Sequence, residues 1–233
     1  MPRCSAKGAI RKFDIGTGQF EHIANPVTSL GGKNLKERSD LRLSPDGQKL
    51  YQLLLYRDPN SVGDLNGVFN QTLYLMTIDL DARSVDYEEV ITGDNIRYGI
   101  RALSADGTRI AFFRMHQFGE YSLWVKDLSS EQVKSISIPG EIGNINLFMT
   151  DDGNKILVAI KDGTRSRWEI YNLNTDQYQA TPFTRPESWD SSGRYLVGEK
   201  DNTYIIYDIE TLSVLDIGLP FPVGFELLSV QWR

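Results

Sequence analysis

The sequence predicts an all-β chain of four complete units, each of four antiparallel strands, with a partial fifth unit shared between the two ends. Three observations carry this. A polar tetrapeptide ending in glycine recurs as Ser44-Pro45-Asp46-Gly47, Ser104-Ala105-Asp106-Gly107, Thr150-Asp151-Asp152-Gly153 and Asp190-Ser191-Ser192-Gly193. Short apolar runs flank each tetrapeptide, and a second pair of alternating runs follows each time. No stretch has the period of a helix.

The tetrapeptide is hairpin chemistry. A Ser or Asp side chain bonds the backbone two residues on, Pro presets φ, and Gly accepts the positive φ that closes the loop. The second hairpin turns after an Asp-Leu-like pair: Asp79-Leu80, Asp127-Leu128, Asn172-Leu173 and Asp208-Ile209. After a longer first interval, the turn glycines recur at roughly 40–45 residues, the period of a propeller blade.

In chain order, Ala9–Ile15 and Gln19–Ile23 form a hairpin around Gly16-Thr17-Gly18, the third and fourth strands of a partial blade. Asn25–Asp40 is polar with a Gly31-Gly32 pair and reads as a loop. The complete blades are Leu41–Val90, Ile100–Ile138, Ile145–Phe183 and Ser188–Ile217, and the first carries an insertion, Arg57–Gln71. Leu227–Arg233 supplies the first strand of the partial blade, which then lacks a second strand. Two explanations stand: the chain belongs to a longer propeller, or residues 1–7 or 25–40 fill the gap in a five-bladed ring. An open blade edge presents unpaired backbone groups and invites association with another chain. The domain reading is a disordered stub over 1–7 and one propeller domain over 8–233.

The hairpin tetrapeptides, the apolar strands after them and the Asp-Leu ends of the third strands resemble the WD40-like repeats of the TolB propeller family. They are also similar to the propeller domain of prolyl-oligopeptidase-type peptidases. The resemblance covers about residues 8–233. It implies a β-propeller that binds a protein segment or peptide, in some relatives as the sensory or accessory part of an envelope or regulatory protein. The peptidase likeness implies an alternative, a non-catalytic gating propeller whose catalytic domain lies outside this chain.

Composition limits the function classes. Asp plus Glu number 31 against 25 Lys plus Arg, for a net charge of -6, so bulk charge does not point to nucleic acid. One cysteine, Cys4, excludes an internal disulfide, and two histidines, His22 and His116, leave no His-based zinc set. There is no signal peptide at the start as written and no apolar run long enough to cross a bilayer. The default compartment is therefore cytoplasmic, or periplasmic if the chain is part of an exported or membrane-anchored protein. Gly-x-Ser-x-Gly and His-Glu-x-x-His are absent, and Gly32-Lys33 lacks the rest of a phosphate loop. The expectation is no enzyme, no cofactor and no metal. The insertion holds Asp58, Asn60, Asp64 and Asn66, but Val62 and Phe69 stand where calcium ligands are needed, so it reads as a solvated loop. Trp124, Trp168, Trp189 and Trp232 read as packing residues, and His22 as a solvated strand residue.

One constellation remains. The loops from second to third strands and from each blade to the next share one face of a propeller. On that face the sequence places Arg57, Arg97, Tyr98, Arg114, His116, Tyr121, Arg165 and Arg185, with Lys161 and Arg167 beside them. Arg and Tyr anchor protein interfaces, and Arg binds carboxylates and phosphates. These eight are the candidate ligand-binding residues, for a protein or peptide partner. The competing reading is a charged, solvated rim.

Overall fold

The computed structural model describes residues 10–14, 16–25, 29–38, 41–57, 70–94, 96–117, 120–162, 165–190 and 192–220. The stub over 1–7, the bulk of the insertion and the strand expected over 227–233 lie outside them. The described residues hold strands and turns and no helix. The chain divides into two compact units, Met1–Gly99 and Ile100–Arg233.

In the first unit, β1 (Ile10–Asp14) and β2 (Gln19–Ala24) form the expected hairpin. The next segment departs from the reading. Asn25–Asp40 is not all loop: β3 (Ser29–Leu30) turns through Gly31-Gly32 into β4 (Lys33–Arg38), and β4 pairs with β6 (Lys49–Arg57). The short β5 (Arg42–Leu43) continues the same edge of β6 beyond β4. The inner strand of this blade is thus built in two pieces. Leu35 is its buried apolar anchor, and a polar strand with one anchor shows no alternation. The sheet continues through β7 (Asn70–Asp79) and β8 (Ser84–Asp94). Ile10, Ile23 and Ala24 of the first hairpin pack with Leu35, Leu54, Tyr74, Met76 and Ile78, which gives this unit its core.

The second unit contains three four-stranded antiparallel blades. The first is β9 (Ile96–Leu103, its start shared with the first unit), β10 (Arg109–Gln117), β11 (Glu120–Asp127) and β12 (Val133–Ile136). The next is β13 (Ile142–Met149), β14 (Lys155–Asp162), β15 (Arg165–Asn172) and β16 (Gln177–Ala180). The last is β17 (Arg185–Trp189), β18 (Tyr195–Lys200), β19 (Thr203–Asp208) and β20 (Ser213–Pro220). Both faces of the middle blade are covered. Ile156, Val158 and Ile160 enter a core shared with Ala111, Phe113 and Leu123, while Leu157 and Ala159 enter one shared with Leu196 and Ile205. That double burial explains the unbroken apolar run Ile156–Ile160.

The repeated turns do what their residues dictate. Ser44, Ser104 and Thr150 each donate a side-chain hydrogen bond of 2.6 Å to the Asp two residues on. The same oxygens accept from the backbone N–H of Lys49, Arg109 and Lys155. The glycines Gly47, Gly107, Gly153 and Gly193 take φ of 72°, 72°, 68° and 67° and donate to the carbonyl three residues back. At the second turn the Asx carboxylate or amide accepts from the N–H groups ahead of it, as Asp79 does from Asp81 and Ala82. Four residues after Asp79, Asp127, Asn172 and Asp208 stand Arg83, Glu131, Asp176 and Leu212, and all four have positive φ.

Hydrogen bonds join the blades of this unit at the same end. Ala105 N–H donates to the Asp151 carbonyl at 3.0 Å, and Lys155 Nζ to the Gly193 carbonyl at 2.9 Å. Along the outer strands, Tyr178 donates its hydroxyl to the Ser137 carbonyl and Gln179 its amide to the Ile209 carbonyl.

Candidate functional site

The two ends of the blades differ chemically. At the tetrapeptide end, Ser, Thr and Asp side chains are spent on their own turns. At the opposite end of the second unit's blades, second strands pass into third strands through short connections. In the last blade this is a two-residue turn, Asp201-Asn202, with φ of 49° and 62°.

The expected placement of the site residues in loops is corrected here. Arg57 ends β6 opposite Gln71, and Arg97 and Tyr98 lie in β9. Arg114 and His116 lie in β10, and Tyr121 lies in β11. Arg165 opens β15 opposite Asp162, and Arg185 opens β17 opposite Glu199. Ladders are held by backbone groups, so a strand runs on through polar residues until the chain must turn. For Arg57, Arg97, Tyr98, His116 and Arg165 the backbone alone is described; their side chains lie outside the described residues.

Arg114, Tyr121 and Arg185 have described side chains, and the structure does not gather them into one cluster. Arg114 faces Ser122 across the ladder, while Tyr121 pairs with Met115 one position on, so the two side chains leave opposite faces of the blade. Tyr121 packs edge-on to Phe113, with ring centroids 6.5 Å apart. Arg185, in another blade, donates from Nε to Glu187 at 2.7 Å and lies 3.9 Å from Glu199. Burial beside Arg185 pushes the Tyr204 hydroxyl above its ordinary range.

Neighbouring cations are matched in the same way. Lys161 binds Glu141 at 2.8 Å, and Arg167 binds Glu169 at 2.6 Å. The hydrogen bond from Lys161 holds the Glu141 carboxyl below its usual value. Glu169 is buried and Glu141 exposed, so only the Lys161–Glu141 pair is fully solvent-screened. For Lys161, Arg167 and Arg185 the rim reading therefore accounts for what is seen.

Arg114 is different. No carboxylate lies within ion-pair reach of it among the described residues. Its guanidinium lies 4.6 Å from the ring centre of Trp124 and 5.7 Å from that of Phe112, and its Nε is buried without a hydrogen-bond partner. Phe112 is fully buried, and Trp124 donates from its indole N–H to Ser122 Oγ at 2.5 Å, which fixes the ring. Cation–π contact contributes about 0.5–2 kcal/mol, and a buried donor left unpaired costs about 1–3 kcal/mol. Seven residues after each turn glycine, the other blades carry Leu54, Ile160 and Lys200. Among the described residues Lys200 has neither an ion pair nor an aromatic platform.

Trp124, Phe112 and Ser122 were not among the candidates, although a period of two places Phe112 with Arg114 and Ser122 with Trp124. What the sequence hid was the register that lays one pair beside the other. Trp168 is buried in a core, as expected of a packing residue, and His22 hydrogen-bonds exposed Asn25 at 3.0 Å. Among the described residues no group of three or more His, Cys, Asp or Glu is placed to hold a metal, and no helix is long and apolar enough to cross a membrane. The calcium-like segment lies outside the described residues.

No family model matches the chain, and no curated protein matches it. Solved structures do. TolB from Acinetobacter baumannii matches with a TM-score of 0.55 and 18% identity over 91% of this chain. Oligogalacturonate lyase from Vibrio parahaemolyticus matches with a TM-score of 0.55 and 14% identity over 90% of this chain. A puromycin hydrolase S511A mutant matches with a TM-score of 0.50 and 15% identity over 85%. The chain spans 49%, 60% and 30% of those three structures, about half the length of TolB. With the strand order, these likenesses establish an all-β fold of four-stranded antiparallel blades, a TolB-like β-propeller.

Proposed function

We propose that the chain is a non-enzymatic binding module that takes a protein segment or peptide at the blade end where second strands pass into third strands. The observation that carries this reading is the chemical asymmetry of the second unit. Polar side chains of the tetrapeptide end close their own turns, while the opposite end presents a guanidinium on an aromatic platform with no anion beside it among the described residues. Arg and Trp are the residue types that dominate interface energies. The likeness to TolB supports the binding class, and the chain would then serve as the sensory or accessory part of a longer envelope or regulatory protein.

A second reading follows from the puromycin hydrolase likeness, of which this chain spans under a third. The chain would be the gating propeller of a serine peptidase. A Gly-x-Ser-x-Gly segment in an extended reading frame decides for it.

The first reading is tested by panning a random peptide library on the immobilised chain and mapping an enriched peptide by hydrogen exchange. Protection is expected near residues 112–124 and 160–168. An enriched peptide that protects the tetrapeptide turns instead, or a library from which nothing is enriched, overturns it.

A further inference from the structure

We infer that Arg114 is a carboxylate-recognition group, and that the bound segment presents its carboxylate to the edge of the guanidinium. This rests on the binding-module reading and narrows it to an acidic ligand.

Guanidinium carries five N–H donors in one plane and a charge that does not titrate away. Trp124 and Phe112 lie side by side next to it, with ring centres 4.6 and 5.7 Å from the guanidinium carbon, so what they offer it is aromatic carbon and not a hydrogen-bond acceptor. The buried Nε has no partner, which leaves the terminal nitrogens as the side a ligand can reach. Two donors in a fixed fork match the two oxygens of a carboxylate.

The group is also held in place before any ligand arrives. Phe112 is fully buried, Trp124 is held by its hydrogen bond to Ser122, and Ser122 is the direct cross-strand neighbour of Arg114. A preorganised fork loses less entropy on binding than a flexible one. Lys161, Arg167 and Arg185 show the alternative, since each already holds a glutamate. A carboxylate on Arg114 would displace none of the glutamates or aspartates among the described residues.

The test is an NMR titration that follows the Trp124 indole N–H and the Arg114 Nε–H. The probes are Ac-Ala-Ala-Glu-Ala-NH2, Ac-Ala-Ala-Ala-OH, their carboxamide counterparts, and inorganic phosphate. The first two distinguish a side-chain carboxylate from a chain terminus. At least one is expected to shift both signals saturably, at tenfold or more lower concentration than its amide. Arg114→Lys keeps the charge without the fork and is expected to weaken binding about tenfold; Arg114→Met keeps the packing and is expected to abolish it. If Arg114→Met disturbs the fold, seen as loss of dispersion in the spectrum, Arg114→Lys carries the comparison. Equal shifts from acid and amide, phosphate binding as tight as the acids, or unchanged binding in Arg114→Lys overturn the inference. A panned peptide that protects this end without needing a carboxylate leaves the binding-module reading standing and the acidic ligand wrong.

Discussion

Asp190 and Ser192 hold each other's places. In the other three tetrapeptides a hydroxyl at the first position donates to an Asp at the third; here Ser192 at the third position donates to Asp190 at the first. The Asp190 carboxylate also accepts from the backbone N–H of Arg194 at 2.9 Å and Tyr195 at 2.7 Å. The blade keeps its turn because the hydrogen bond survives the exchange of residues. Asp190→Ala takes the Asp190 acceptor from the N–H groups of Ser192 and Tyr195 and leaves that of Arg194 only the Ser192 Oγ at 3.2 Å, and it is expected to lower stability by about 1–3 kcal/mol. The double variant Asp190→Ser, Ser192→Asp restores the order of the other blades and is expected to stay within about 0.5 kcal/mol of the wild type, a surface-level change. Urea melts of the three proteins check this. A double variant as unstable as Asp190→Ala would show that the exchange is not equivalent.

Leu212 has φ of 57° and is 61% exposed. A left-handed backbone costs an L-residue about 1–2 kcal/mol, and glycine escapes that cost at the expense of a more flexible unfolded chain. Leu212→Gly gives up little packing, so a net gain of about 0.5–1 kcal/mol is expected. The equivalent residues have compensating contacts: Arg83 pairs with Glu21, Glu131 with Lys126, and Asp176 with Lys134 and the Tyr171 hydroxyl. Glycine at those three positions should gain less than at Leu212. A higher urea midpoint for Leu212→Gly than for Glu131→Gly is the expected order, and the reverse order would remove backbone strain as the cause.

These turns were legible because their constraint is local. Ser-x-Asp-Gly specifies a hairpin whatever surrounds it, and the Asp-Leu pairs mark the second turns just as locally. The strand ends were not legible. Arg114 and Arg185 are polar, and a hydrophobic pattern stops at a polar residue, whereas a backbone ladder does not. Lys33–Arg38 was missed for the same reason, with Leu35 as its buried apolar anchor. The platform under Arg114 depends on the pairing of Phe112 with Trp124, a register fixed by a connection whose residues say little about its length.

Acid stability should depend on two carboxylates at the second turns. Arg194 reaches Asp208 at 2.6 Å from Nη2, and the Glu210 and Thr211 N–H groups donate to the same side chain. The hydrogen bond from Arg194 holds the Asp208 carboxyl well below the carboxylate range. Asp127 is lowered in the same way by Ser129, the Ser130 N–H and Arg109. A lowered folded-state value means that the unfolded chain binds more protons as pH falls below about 4, so this contribution is complete above that value and declines beneath it. Asp208→Asn is expected to lower the urea midpoint at pH 7 and to flatten its fall between about pH 5 and pH 3. An acid limb as steep in Asp208→Asn as in the wild type would assign the titration elsewhere.

Gly198 is required for space rather than for backbone angle. It lies in β18 opposite Pro186, where the β17 ladder shifts register. A Cβ at Gly198 would meet the Arg185 carbonyl at 2.6 Å, Phe183 Cδ1 at 2.6 Å and Pro186 Cα at 2.8 Å. Two of these are backbone atoms, so β17 itself would have to move away. Phe183 cannot simply turn aside, because it is buried and packs edge-on to Tyr207 at 6.1 Å. Gly198→Ala is therefore expected to cost about 2–4 kcal/mol, at the upper end of overpacking. Adding Phe183→Leu relieves one contact of the three and should recover part of the loss but not all of it. Full recovery in the double variant would mean that the ring, and not the β17 backbone, is what the methyl strikes. An unchanged urea midpoint for Gly198→Ala alone would mean that β17 gives way freely, and the close approach of the two strands would then not be a constraint on the blade.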